Sequence, residues 1–315
     1  MYDGFWRNMR EENRRAILQD YGVINKVWYL FPQGGGPRGS FETFTSLAPN
    51  LRSRDLIYLS GVLKEQAVCP VGVYDVTVLG AANQPRQATS GGVATGGGAS
   101  WLSPTTVVAG KSLIDVIEQG WTFQNIQFAP PAGLDCIRFR RQETATIPDG
   151  SHGKVLGCYF STGGAAGCGI NVGECKRIHI EGCEFEALGT GTAIRNTADG
   201  GIASPTYLKI LNNRFGRGNA GDIIVACNSS LIMGNVFAAV FAVEGGWRIN
   251  LDGGALKNMV IENYLSDVDA TIALGCKKAV AADIWRNYVA TVVDPKVVVR
   301  RKSLAWSAHG GGRGL

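Results

Sequence analysis

A short alternating strand, a residue suited to a tight turn and then Asn-x-aromatic: no other feature limits the fold of this chain as much as the recurrence of this unit. The clearest copy is KILNNRFGRG at 209–218, where Asn213-Arg214-Phe215 closes the strand. Asn235-Val236-Phe237 follows SLIMG, Asn263-Tyr264-Leu265 follows NMVIE, and Asn287-Tyr288-Val289 follows ADIWR. Upstream, Cys183-Glu184-Phe185, Cys158-Tyr159-Phe160 and Ile126-Gln127-Phe128 hold the same place. The closing residues stand at 128, 160, 185, 215, 237, 265 and 289, with spacings of 32, 25, 30, 22, 28 and 24. An imperfect period of that size marks a solenoid built from one supersecondary unit per turn. After each closing residue comes a second short strand: CIRFR, GCGIN, TAIRN, DIIVAC, WRINL, TIALG and KVVVR.

This is the wiring of an all-β parallel β-helix, in which each coil lays its strands on those of the coil below at ~4.8 Å. The turn between strands needs one residue in the left-handed region, which asparagine tolerates, especially after glycine. Stacked Asn213, Asn235, Asn263 and Asn287 are expected to bond amide to amide, with Phe128, Phe160, Phe185, Phe215 and Phe237 stacking inward. Cys158 and Cys183 read as small inward fillers of the asparagine slot where the turn closes differently. Glycine supports the picture: 43 residues of 315 is close to twice the typical ~7%. The competing fold is a β-sandwich, which calls for hairpin signals between strands. Asp149-Gly150 and Asp199-Gly200 instead fall in the loops linking coils.

A solenoid needs its ends covered. Residues 3–22 read as an amphipathic helix, with Trp6, Met9 and Ile17 on one stripe and Arg7, Arg10, Arg14 and Arg15 opposite. Trp6, Arg7, Arg10 and Arg14 are the candidate docking residues, either on a capping helix or as an attachment to something larger. KVWYLF at 26–31 is a strand, and Ser40 is placed to cap a short helix carrying Phe41, Phe44 and Leu47, stopped by Pro49. The polar stretch 88–100 reads as an excursion loop. The expected organisation is a cap or docking segment over 1–39, a β-helix over 40–302 and a tail over 303–315.

A net charge of +5 spread along the chain is not a concentrated nucleic-acid footprint. No apolar run is long enough to span a membrane, and the first residues lack the apolar core of a signal peptide, so synthesis in a cytoplasm is expected. The eight cysteines form no C-x-x-C pair, which argues against zinc and for buried, reduced thiols. AGKS at 109–112 imitates the end of a phosphate loop, but Thr105 stands where that motif requires glycine. Only three histidines are present, without metal-ligand spacing, and His179 reads as a surface residue of a strand. No cofactor or metal is expected. Carboxylates remain. Glycoside hydrolysis needs two acids ~5–9.5 Å apart, and the candidates are Asp135, Glu174, Asp222 and Asp252, with Glu184 a further option. Asp135 and Asp222 each follow a closing phenylalanine by seven residues, but with two coils between them they stand ~14 Å apart.

The helix-strand-helix opening, SRDLIYLSGVLKE, DVTVLGAANQPR and the I-x-x-N-x-F coils together resemble the pectate-lyase-like right-handed β-helices of bacteriophage tail proteins, over roughly residues 40–300. That resemblance implies a right-handed, single-stranded helix with a short N-terminal helical cap. It also implies a homotrimer, attachment to other virion proteins at the N-terminal end, and binding or cleavage of host surface polysaccharide. The calcium and arginine motifs of pectate lyases, and the Asn-Thr-Asp and Gly-His-Gly signatures of polygalacturonases, are not visible in this sequence. The shaft is short, and no head-binding domain before it or folding domain after it is recognised. The expectation is a compact structural protein of the virion, on tail or capsid, in contact with host glycan. The alternatives are a tailspike-type hydrolase or lyase and a non-enzymatic carbohydrate-binding β-helix.

Overall fold

Three short strands per coil, each laid on its equivalent one coil earlier, build the molecule. A computed structural model describes residues 24–81, 99–130, 132–140, 150–161, 168–186, 191–196, 205–216, 221–238, 249–251, 258–266, 282–285, 288–293 and 296–300. Sheet A stacks Val27–Leu30, Leu56–Leu59, Thr77–Gly80, Thr122–Gln124, Lys154–Leu156, His179–Glu181, Lys209–Leu211, Leu231–Met233, Asn258–Ile261 and Ala282–Trp285. Sheet B stacks Gly61–Lys64, Ala99–Leu102, Gln127–Ala129, Tyr159–Ser161, Glu184–Glu186, Arg214–Phe215, Val236–Ala238, Tyr264–Ser266, Tyr288–Val293 and Lys296–Arg300. Sheet C stacks Ala67–Val68, Ile114–Val116, Asp135–Phe139, Cys168–Asn171, Thr192–Arg195, Gly221–Val225 and Ile249–Leu251. The chain passes from A to B to C in each complete coil. This is a right-handed parallel β-helix, the hand that parallel crossovers take.

All seven closing positions of the sequence repeat share one register in sheet B, from Phe128 through Leu265 to Val289. One strand departs from expectation. Lys296–Arg300 is not the second strand of a further coil but runs antiparallel on Tyr288–Val293, so sheet B ends in a hairpin. TIALG, Asn287 and the 3–22 segment with Trp6, Arg7, Arg10 and Arg14 lie outside the described residues. Ala99 and Ser100, assigned to the excursion loop, begin a buried strand paired with Gly61 and Val62. Small side chains fit there against the preceding coil.

Register makes like residues cover like residues. Phe128, Phe160, Phe185, Phe215 and Phe237 stack with ring centroids 4.7–5.2 Å apart. The three stacks after Phe160 are within 8° of coplanar. Val155, Ile180, Ile210, Ile232 and Val260 form the matching file of sheet A, and Ile114, Ile137, Ile170, Ile194, Ile223 and Ile249 that of sheet C, all buried. At the N-terminal end a single helical turn, Phe44–Leu47, covers this column. Phe44 lies 5.4 Å from Trp101 and 6.3 Å from Trp121, ring to ring. The cap residue is Thr43, whose hydroxyl accepts from the Ser46 N–H at 3.1 Å, and not Ser40. Glu65 completes that turn from the first coil by accepting from the Phe44 and Thr45 amides.

Among the described residues, two corners of the coil turn repeatedly through the left-handed region. At the A-to-B corner the residues are Asn125, Gly157, Gly182, Asn212, Gly234 and Glu262, with φ between 54° and 68°. The left-handed residue is therefore the one before the asparagine slot, not the slot itself. Gly234 has a second reason to be glycine, since a Cβ there would sit 2.4 Å from Asn212 Oδ1. Cys158 and Cys183 follow Gly157 and Gly182, so their turns close as the others do.

The slot itself faces inward and meets a carbonyl of the coil below. Asn213, Asn235 and Asn263 donate their side-chain amides to Ile180, Ile210 and Ile232 O at 3.1, 2.9 and 3.1 Å. Their Oδ1 atoms accept the backbone N–H of Cys183, Asn213 and Asn235 at 2.9, 2.9 and 3.0 Å. Adjacent amides also bond directly, Asn213 to Asn235 at 3.0 Å and Asn235 to Asn263 at 2.9 Å. The thiols of Cys158 and Cys183 donate to the equivalent carbonyls, Phe123 O and Val155 O, at 3.5 and 3.4 Å. They are weak donors doing the amide's task, not fillers alone.

The phenylalanine column yields a direct check. Phe185→Ala opens a void between two stacked rings and is expected to lower the unfolding free energy by about 3–5 kcal/mol. Glu184→Ala, next door on the outward face, is expected to stay within about 1 kcal/mol. Chemical denaturation of both variants compares them.

Candidate functional site

Two of the acids singled out from sequence, Asp135 and Asp222, belong to sheet C, whose strands carry a polar row. Asp115, Arg138, Asn171 and Arg195 are in register on four consecutive coils. Asp135 lies beside this row, 7% exposed. Its Oδ1 accepts from Arg195 at 2.7 Å and its Oδ2 from Asn171 at 2.8 Å. Asp115 is 3.6 Å from Arg140 and is also buried. Burial pushes the Asp115 carboxyl above its usual range; Arg140 and Arg138 pull it back, and the nearby Asp135 charge adds to the rise. These two acids therefore feel each other, but each is covered by an arginine and withdrawn from solvent.

The remaining candidates do not join them. Glu174 is buried past the end of a sheet C strand, with Oε1 lacking a hydrogen-bond partner among the described residues. Asp222 is fully buried three coils from Asp135. Its register differs from the expected one, because Asp135 aligns through Cys168 and Thr192 with Gly221. The spacing from Phe215 to sheet C is one residue shorter than that from Phe128. Asp252 lies outside the described residues. Glu184 is ion-paired with Arg214 on the face of sheet B. The seven described cysteines are free and buried, and burial raises the Cys69, Cys136 and Cys227 thiols, the last to about 11. No group of three or more metal-ligating side chains occurs among the described residues. The AGKS turn is a surface loop tied down by Gln66, which donates to Lys111 O at 2.6 Å and accepts from Val108 N at 2.6 Å.

The opposite character is found along the C-to-A corner and sheet A. A groove of about 500 Å³ is bounded by Asp75, Gly120, His152, Lys154, Arg177, His179, Tyr207 and Lys209. Lys154, His179 and Lys209 are in register on consecutive strands of sheet A. His152, Arg177 and Tyr207 stand at the corner just before those strands and are all left-handed, with φ of 62°, 57° and 59°. Their N–H groups bond across coils to Lys176 O, Thr206 O and Asn228 O at 2.8, 2.8 and 3.0 Å. Tyr207 is 54% exposed, with the Arg177 guanidinium 5.9 Å from its ring centre. His179 Nε2 lies 2.9 Å from Glu181 Oε2. Burial lowers the His179 pKa and the flanking lysines add to this, against the raising effect of Glu181.

Sequence reasoning treated His179 alone and passed over this arrangement. Its signal lies in the repeat: Lys154, His179 and Lys209 each precede the closing phenylalanine of their coil by six residues, and His152, Arg177 and Tyr207 precede it by eight.

No family model matches the chain, and no curated protein matches it. Among solved structures it is similar to ORF18 of Geobacillus virus E2, with a TM-score of 0.38 and 10% identity over 95% of this chain and 67% of that one. It is also similar to pectate lyase Pel9A, with a TM-score of 0.35 and 9% identity over 84% of this chain and 70% of that one. The fold assignment rests on the strand register described above.

The raised Asp115 carboxyl has a consequence for stability. The folded state holds this proton more tightly than the unfolded chain, so stability from this group is present below the unfolded pKa and is lost as pH rises through the folded one. Wild type is expected to gain melting temperature relative to Asp115→Asn as pH falls from 7 towards 4. Parallel melting curves of the two proteins across that window read the difference.

Proposed function

We propose that the chain is a structural part of a bacteriophage particle: a stubby homotrimeric β-helix, mounted on tail or capsid through its N-terminal segment, that touches host surface glycan without cutting it. The observation that carries the non-catalytic reading is the contrast between two faces. On sheet C the acids are buried under arginines, whereas on sheet A exposed cations and an exposed tyrosine line an open groove. A hydrolase needs two carboxylates with room for substrate between them, and Asp115 and Asp135 would first have to lose Arg140 and Arg195. The resemblance of the coils to phage tail helices supports placement on the particle. Val236 and Met259, exposed by 38% and 40% on late coils of sheets B and A, support a lateral neighbour of the kind a trimer supplies.

The test has two readings on the same preparation. Purified host capsular and lipopolysaccharide glycans, incubated with the protein, are expected to keep their chain length and to show neither new reducing ends nor the absorbance of an unsaturated lyase product. Sedimentation equilibrium is expected to return the mass of three chains. Glycan shortening would establish the depolymerase alternative, and a monomer mass would remove the trimer.

A further inference from the structure

Two files of side chains run along the groove on sheet A. The strand file is Lys154, His179 and Lys209, on consecutive coils and so ~4.8 Å apart, with the two lysines roughly 10 Å apart. The corner file is His152, Arg177 and Tyr207, with Asp75 and Gly120 continuing it towards the N-terminal end. Lys154, Arg177 and Lys209 are exposed, and none forms an ion pair with a carboxylate among the described residues. The acids nearby are Glu181, engaged with His179, and Asp75, at the far end of the groove.

The backbone makes the choice of corner residues informative. The same left-handed corner is occupied by glycine at 120 and by serine at 229. Glycine meets that geometry without steric penalty, yet positions 152, 177 and 207 carry an imidazole, a guanidinium and a phenol. Folding does not ask for these side chains, and all three are turned towards the groove.

We infer that this groove is a binding site for an acidic polysaccharide, one whose sugars bear carboxylate or sulfate groups and which lies along the coil axis. The inference rests on the glycan-contact reading above and names its ligand class and place. Lys154, Arg177 and Lys209 take the anionic substituents, the guanidinium with its paired donors and the lysines as point charges. A coil spacing close to the length of one sugar ring lets successive sugars meet successive coils. Tyr207 offers its ring face to the C–H face of a sugar. Nucleic acid is the competing polyanion, but single-strand binders set aromatic side chains where successive bases stack, whereas here the exposed Tyr207 ring and the His152 imidazole stand two coils apart, with Arg177 between them.

The test uses affinity electrophoresis of the full chain through gels containing polygalacturonate, heparin or neutral dextran, with single-stranded DNA as competitor. Retardation by an acidic glycan, weakening with salt, and no retardation by dextran are expected. Lys154→Gln/Lys209→Gln is expected to bind roughly tenfold more weakly. Arg177→Gly and Tyr207→Gly are expected to bind more weakly while their melting temperatures hold or rise, a combination that a purely structural role cannot produce. Retardation by dextran that these variants leave intact overturns the groove and keeps glycan contact. Stronger binding of DNA than of any glycan overturns the ligand class. Failure of every glycan to retard the protein overturns both this site and the glycan-contact reading.

Discussion

A coil can stack on the next only if the turns between its strands hand their own N–H and C=O groups across to the neighbouring coil. Strands do this automatically, because parallel pairing leaves edges only at the two ends of the stack. Corners do not. The A-to-B corner turns within two residues, as between Gln124 and Gln127, and at any buried corner an unmade backbone hydrogen bond costs about 1–3 kcal/mol. The chain meets this in two ways. The C-to-A corner passes through the left-handed region, so its N–H reaches the carbonyl of the next coil, as at Arg177 and Thr206 O. The A-to-B corner does the same and then needs a side chain, because the slot after it confronts both a carbonyl below and an amide beside it. Asparagine carries a donor and an acceptor on one short stem and satisfies both.

That constraint explains which parts of the fold were legible in the sequence. The phenylalanine column and the asparagine slot repeat as letters, so Phe128 to Phe237 and Asn213 to Asn263 fall into one register by inspection. The left-handed residues were harder, because the physical requirement is a φ value that asparagine, glycine, glutamate, arginine, histidine and tyrosine all meet in this chain. The conspicuous letter is the asparagine of the slot, but the turn residue is the one before it. Cys158 and Cys183 share the sequence position of the asparagines, but their use as donors depends on carbonyl positions that no letter records. The closing strand Lys296–Arg300 misled for a related reason. An apolar run such as KVVVR is equally suited to parallel and antiparallel pairing, and only the connection before it decides.

The candidate site follows the same logic. Acids attract attention as letters, yet Asp135 and Asp115 are joined to Arg195 and Arg140 by a sheet C register that appears only once the coils are stacked. The groove residues look scattered at 152, 154, 177, 179, 207 and 209 until counted back from each closing phenylalanine. A solenoid turns such long sequence separations into neighbours one strand spacing apart, so chemistry is better read by coil position than by motif. On that reading sheet C is braced by ion pairs whose carboxylates are buried, and sheet A presents its charges to whatever lies outside.

The inward asparagine ladder is the central element of this account, and a double-mutant cycle tests it most directly. Asn213→Ala, Asn235→Ala and the double variant would be compared by denaturant unfolding. Because Asn235 Oδ1 accepts both the backbone N–H and the side-chain amide of Asn213, strong destabilisation by each single change and a coupling of about 0.5–3 kcal/mol between them are expected. Additive losses, within about 0.5 kcal/mol, would contradict it by showing that the asparagines act one at a time and that the coils are held in register by packing alone.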